Sequence, residues 1–323
     1  MQLAKSGRTA LRFSLGLPVA AMLCAAPQAQ AVSLGKSYLP SQLDLSLGME
    51  AMSGDTQYEV GGSAVTADGS RINALSPTSR LEWPLDVWLT RVDAGLTFSP
   101  EWHVNVSLKT NLGEPDNSII DRDWLTVPGR LDLYSESKVS SFDALLLDID
   151  LEWTFWQQGL WSLYAGAGWQ HQKFQYTGSS LMQYSPSGLS GWDFNSSGRV
   201  SATYELTYSM PYLLLGSEYQ LTPQLRLNGS IAAAPLLGAE DETILPLRNK
   251  TATGDMDGGA WMLDISGSYW FNPWWHLKAG LRQAWLKADG EQHQTEGGQP
   301  IGMIDMESTS SQTSGYLNVG YSF

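Results

Sequence analysis

The sequence predicts an all-β fold: a transmembrane antiparallel β-barrel of ten strands, with short periplasmic turns and long extracellular loops. The first observation is alternation. From Leu145 to Phe155 the odd positions are Leu145, Leu147, Ile149, Leu151, Trp153 and Phe155, and the even positions include Asp148, Asp150, Glu152 and Thr154. An apolar face backed by a charged one is what a half-buried strand needs, and in a barrel the charged face lines the lumen. The second is an asymmetry of connections, with short turns on one side and long polar stretches on the other. The third is the placement of aromatic residues beside the short turns, as at Trp156, Trp161, Phe271, Trp274 and Trp275, the pattern of an interfacial girdle.

The elements follow in order. Residues 1–31 read as a secretory signal peptide: Lys5, Arg8 and Arg12 form a basic start, Phe13 to Ala26 is apolar, and Ala29-Gln30-Ala31 is a small-x-small cleavage site. That leaves 32–323 as one barrel domain. The apolar stretch is shorter than the ~20 residues of a spanning helix. The single cysteine, Cys24, lies within it, so the mature chain has neither disulfides nor thiolate chemistry. Loss of three positive charges takes the net charge from -14 to -17, which argues against nucleic acid as a partner.

Ser99-Pro100-Glu101, Gln157-Gln158-Gly159, Thr222-Pro223-Gln224 and Asn272-Pro273 carry turn chemistry between alternating runs. Polar stretches near 55–78, 112–140, 178–200, 239–258 and 288–309 read as the outer loops. The strands are then 41–54, 79–98, 102–123, 141–156, 161–177, 201–220, 225–238, 259–271, 275–287 and 311–323. The last run alternates Leu317, Val319, Tyr321, Phe323 and stops on the aromatic, like the assembly signal of outer-membrane barrel proteins. So small a barrel fills its lumen with side chains, which disfavours a pore.

Chemistry concentrates in Ile119-Ile120-Asp121-Arg122-Asp123-Trp124. Residues two apart on a strand share a face, so Asp121 and Asp123 project together and could hold and polarise a water molecule. Asp255 and Asp257 are also two apart, but a solvated loop explains them better than calcium does. Paired-Cys metal sites, His-Glu-x-x-His, a phosphate loop and Gly-x-Ser-x-Gly are all absent from the sequence.

Ser79-Arg80-Leu81-Glu82-Trp83, Thr110-Asn111-Leu112-Gly113, Ile120-Asp121-Arg122-Asp123-Trp124 and Met210-Pro211-Tyr212 occur in the order and spacing of the omptin family, outer-membrane proteases on a ten-stranded barrel. The chain resembles that family from about residue 41 to its end. The resemblance implies an aspartic-type endopeptidase, with two acids on one wall of an extracellular groove and an Asp-His pair on the other. Asp121 and Asp123 match the first pair and Asp241 matches the second Asp, whereas Thr243 occupies the histidine position. A hydroxyl does not serve as a base near neutral pH.

The acidic positions that select basic substrates match Tyr58 and Ala239; Glu59 and Glu240 lie one residue away, which on a strand means the opposite face. Lys173 retains one basic position of the lipopolysaccharide-contacting pattern, and Thr207 stands where an Arg is expected. Lipopolysaccharide is thus a possible activator; no other cofactor is expected. His103 and His276 lie beside short turns, and His171 and His293 lie toward the outer end. The expectation is a barrel of endopeptidase lineage, weak or inactive as a protease, with a peptide or protein ligand at its groove; the alternative is a non-enzymatic surface adhesin or receptor.

Overall fold

The structure, a computed structural model, describes residues 42–189 and 191–323. The expected signal peptide lies outside the described residues. The strands are β1 (Gln42–Thr66), β2 (Arg71–Asn73), β3 (Ser79–Pro84), β4 (Val87–Ser99), β5 (Trp102–Asn111), β6 (Ile119–Asp123), β7 (Leu133–Gln158), β8 (Trp161–Tyr184), β9 (Phe194–Asn195), β10 (Val200–Gln220), β11 (Leu225–Leu245), β12 (Lys250–Trp270), β13 (Trp275–Glu296) and β14 (Gln299–Ser322).

β1 pairs with β4 on one side and with β14 on the other, which closes an antiparallel ring of ten: β1, β4, β5, β7, β8, β10, β11, β12, β13 and β14. Closure leaves the ring no free edge, so each backbone N–H and C=O at bilayer depth finds a partner in the wall. β3 and β6 pair with each other and are flanked by β1 and β7, continuing the wall outward where β4 and β5 stop. The expected runs 79–98 and 102–123 are therefore each split in two, at Leu85-Asp86 and at Leu112–Ser118. Pro84 has no N–H to give the ladder at the first break, and Leu85 N–H bonds instead to the carbonyl of Gly54 at 3.0 Å.

Strand ends also differ from expectation. Much of 239–258 and 288–309, read as loop, is strand in β11, β12, β13 and β14. One turn of 3₁₀-helix, Pro246–Arg248, joins β11 to β12. Gly297 and Gly298, both at positive φ (57° and 75°), form the two-residue turn between β13 and β14, a geometry that favours Gly at both positions. The polar, charged sequence there is not loop chemistry. It is the solvated outer wall of strands that outrun the membrane. β8 has 24 residues, whereas a span takes only ~9–11. Longer connections remain at 67–78, 124–132 and 185–199.

The outward face is apolar over the periplasmic half. Leu47, Leu213, Ile265, Leu281 and Leu317 are more than half exposed, as only a lipid-facing position tolerates in such number. The aromatics near the short turns form the lower girdle. A second, upper girdle was not read from the sequence: Trp88, Trp169, Trp261 and Trp285, with Trp261 directly opposite Trp285 in the ladder. Trp275 and Trp285 lie ten positions apart on β13, which on a tilted strand matches the ~25 Å apolar band of such barrels.

The lumen is packed with polar side chains. Glu50, 2 % exposed, accepts hydrogen bonds from Arg91 at 2.9 Å and Lys109 at 2.8 Å. Arg282 and the Tyr212 hydroxyl both donate to Asp148, at 3.2 and 2.6 Å. Above this layer Gln172 and Gln312 exchange amide bonds across the barrel at 2.8 and 3.2 Å.

Two outcomes follow. Glu50→Ala leaves buried Lys109 without its counter-charge, while Arg91 keeps Asp93 at 2.8 Å, and is expected to cost about 3–5 kcal/mol, read from the urea midpoint of the refolded barrel. Leu281→Arg, on the lipid face, is expected to cost about 2–4 kcal/mol in the same titration in lipid vesicles.

Candidate functional site

Above the glutamine layer an aromatic slab fills the barrel. Trp83 of β3 stacks on Tyr204 of β10 at 4.3 Å between ring centroids, Tyr58 of β1 packs on Tyr204 at 5.6 Å, and Tyr176 of β8 meets Trp83 at 5.2 Å. The Tyr176 hydroxyl donates to the Pro84 carbonyl at 2.9 Å, so the slab is pinned to the wall. Above it, inward side chains of β1, β3 and β6 face those of β11 and β12 across the outer mouth of the barrel, here the cleft.

Asp121 and Asp123 lie on β6 and face inward together, as alternation requires, with Ile120 and Arg122 outside. Ser79, opposite on β3, donates to Asp121 Oδ1 at 3.2 Å. β6 leaves the site in a tight loop fixed by Asp132, which accepts hydrogen bonds from Leu125 N–H at 2.9 Å and Thr126 N–H at 2.8 Å. Outside, Arg122 bridges to Glu82, and Arg80 bridges to Glu59 at 2.5 Å. Glu59 thus faces away from the cleft while Tyr58 faces in. On β11 the inward positions are Ala239, Asp241 and Thr243, and the exposed ones Glu240 and Glu242. The one-residue offset excludes both neighbouring glutamates from the cleft.

Asp241 is 6 % exposed, and neither of its carboxylate oxygens has a hydrogen-bond partner among the described residues. The Tyr204 hydroxyl and the Gly254 N–H are near enough to favour its charged form without reaching hydrogen-bond geometry. Burial nevertheless dominates and pushes its pKa up to about 7. Gly254 is required for this packing, because a Cβ there would come within 2.4 Å of Asp241 Oδ1. Burial also raises Asp121 and Asp123, and the charge of Asp123 raises Asp121 further; Arg248 and Lys250 act in the opposite direction on both. The charges of Asp241, Asp121 and Asp123 all act on the Tyr58 hydroxyl. Burial holds that hydroxyl protonated, and its oxygen lies 3.3 Å from Thr243 Oγ1.

Asp121 and Asp123 thus share the inward face of β6, and Asp241 and Thr243 that of β11, with Tyr58 of β1 acted on by the charges of both strands. Among the described residues no histidine joins them. His171 is on the outer face of β8, stacked on Trp169 at 5.6 Å; His293 is exposed on β13 beside inward, buried Gln292. His103 bonds Thr97 Oγ1 at 2.8 Å and His276 lies 3.5 Å from Asp44, both at the periplasmic end. Lys173 points outward and is paired with Glu205 at 2.6 Å, with Thr207 opposite it. Asp255 and Asp257 also point outward, and among the described residues no three metal-ligating side chains converge.

Sequence reasoning missed the aromatic floor and the basic residues Arg248 and Lys250. The second had a visible signal, since they are the two basic residues in the otherwise acidic stretch 239–257.

A closed ten-strand ring with an apolar belt, two aromatic girdles and a cleft at its outer end defines a bacterial outer-membrane barrel. Residues 43–320 match the Omptin family, and the chain belongs to that family. The outer membrane protease OmpT from Escherichia coli has the same fold, at 17% identity over 89% of this chain and 98% of that chain, with a TM-score of 0.70. The translocator domain of the autotransporter NalP from Neisseria meningitidis (10% identity, 85% of this chain and 88% of that one, TM-score 0.35) is a looser likeness. So is a FadL homologue from Pseudomonas aeruginosa (11% identity, 87% and 90%, TM-score 0.28). No curated protein sequence matches the chain.

The pH dependence of the cleft follows from Asp241. Its folded pKa lies above that of an unfolded aspartate, so between the two values the folded chain binds more protons and stability falls as pH rises. The contribution is complete below about pH 4 and is lost by pH 7–8. Hydrogen exchange across β11 is expected to quicken between pH 5 and 8 beyond its intrinsic trend, and Asp241→Asn is expected to flatten that excess.

Proposed function

We propose that this omptin-family barrel is weak or inactive as an endopeptidase and that its extracellular cleft serves to bind a peptide or protein segment. The observation that carries the reading is the Thr243–Tyr58 contact. Where the family resemblance implies an imidazole beside Asp241, a threonine hydroxyl lies 3.3 Å from a phenol oxygen, and among the described residues no histidine faces the cleft. Peptide hydrolysis by the Asp-His route needs a group that accepts a proton from water near neutral pH. Neither hydroxyl does so, because a buried phenol holds its proton more tightly than a free one.

The Asp121–Asp123 pair remains able to hold a water molecule, so residual turnover through the carboxylates alone is the most this cleft supports. A role as surface adhesin or receptor gains support from the outer connections, where Leu125, Val127, Trp192 and Phe194 are exposed. Lipopolysaccharide is the natural neighbour of the outer wall. The pairing of Lys173 with Glu205 weakens the one basic contact retained there.

The test is turnover of a quenched-fluorescent peptide library by the barrel refolded in detergent, with and without lipopolysaccharide. The parent is expected to stay near background and Thr243→His to raise cleavage by at least about 10²-fold, the scale a positioned general base contributes. Robust parental turnover that vanishes in Asp121→Asn and Asp123→Asn would overturn the proposal. So would equal rates for the parent and Thr243→His, once a circular-dichroism spectrum shows both are folded.

A further inference from the structure

The turn between β11 and β12 does not stand free above the barrel. Leu245 packs on the aromatic core, and Pro246–Arg248 lies against β10. Arg248 then reaches past β10 and donates through Nη2 to Gln183 Oε1 on β8 at 3.2 Å. That amide is itself held, by Ser135 of β7 at 3.3 Å and by its own bond to the Trp192 carbonyl at 2.7 Å. The turn is a strap drawn over one end of the cleft, fastened on the strand beyond its neighbour.

The next basic side chain points into the cleft. Lys250 begins β12 on the inward face, in line with buried Ala252, Gly254 and Met256. It is half-buried and lies opposite Glu296 in the ladder; burial and Arg248 lower its pKa, while Asp123, Glu296 and Asp121 hold it up. Ser135, whose hydroxyl holds Gln183, is directly opposite Asp121 in the ladder, so the Arg248 guanidinium is anchored beside the acidic wall. In keeping with that placement, Arg248 and Lys250 both favour ionisation of Asp121 and Asp123. The two positions that the family resemblance marks as acidic are Tyr58 on β1 and Ala239 on β11, 4 % and 1 % exposed.

We propose that Arg248 and Lys250 are specificity determinants: they occupy the cationic place beside Asp121 and Asp123, so that the cleft rejects basic side chains and accepts uncharged ones. A ligand lysine or arginine would meet two like charges and would pay desolvation beside carboxyl groups that burial already pushes toward their neutral form. A leucine or glutamine side chain meets no such repulsion. The inference rests on the reading of the cleft as a peptide-binding groove, but it concerns which peptide binds and not whether one is cut.

The experiment is fluorescence anisotropy on the refolded full barrel at low ionic strength, with two labelled peptides that differ only in a central Arg-Lys or Gln-Leu pair. In the parent the Gln-Leu peptide is expected to bind roughly tenfold tighter or more, a difference of about 1.4 kcal/mol per tenfold step. In Arg248→Ala/Lys250→Ala the Arg-Lys peptide is expected to gain at least about tenfold. Adding Asp121→Asn and Asp123→Asn to that variant is expected to remove the gain. Three results would overturn the proposal: tighter parental binding of the Arg-Lys peptide, an affinity for it unchanged by the double alanine variant, or no binding of either peptide to any variant. Mass spectrometry of the same samples reports cleavage separately, so failure of the inactivity reading is visible even when the charge preference holds.

Discussion

The covalent chain has no way to satisfy its backbone in lipid except by closing the sheet, and everything else in this molecule depends on that closure. β1 pairing with β14 joins the first strand to the last and fixes the register of all ten. Once the ring is closed, the pleat dictates which side chains face lipid and which face the lumen. A lumen this narrow must then be filled. The chain fills it with neutralising charge at bilayer depth, around Glu50, and with aromatic rings farther out, around Trp83 and Tyr204. The cleft is what remains above that floor.

The same constraint explains why the cleft is electrostatically unusual. Strands that continue well beyond the membrane carry their alternation with them, so acidic residues appear on both faces of the outer wall. Those outside, such as Glu240 and Asp255, are directly opposite each other in the ladder and are solvated. Those inside, Asp121, Asp123 and Asp241, are desolvated by the slab and by one another. On the inner face of the outer wall, burial pushes Asp121, Asp123 and Asp241 toward their neutral form. Location within the pleat, and not residue type, sets the chemistry.

Family membership and activity are separate questions here. The fold belongs to the omptin family. In the space above the floor the Tyr58 and Thr243 hydroxyl oxygens lie 3.3 Å apart, and neither group accepts a proton readily near neutral pH. The reading proposed above follows from that contact: a cleft suited to holding a side chain, with Arg248 and Lys250 setting which charge it admits.

Much of this was legible in the sequence. Alternation and the short turns gave ten strands and the orientation, because the pleat's period of two leaves a direct trace in hydropathy. The shared face of Asp121 and Asp123 followed from the same parity, as did the exclusion of Glu59 and Glu240, whereas the places of Asp241 and Thr243 came from the family resemblance. What parity does not carry is where a strand ends once it leaves the membrane. A solvated outer wall and a loop have the same polar composition, so 239–258 and 288–309 read as loops and proved to be largely strand. Nor does parity say what lies opposite across the lumen. That Tyr58 meets Thr243, that Trp83 stacks on Tyr204, and that Arg248 reaches Gln183 are contacts between residues 65 to 185 positions apart. Only the closed ring brings them together, since it is the circumference of the barrel, and not any local rule, that sets which faces confront each other.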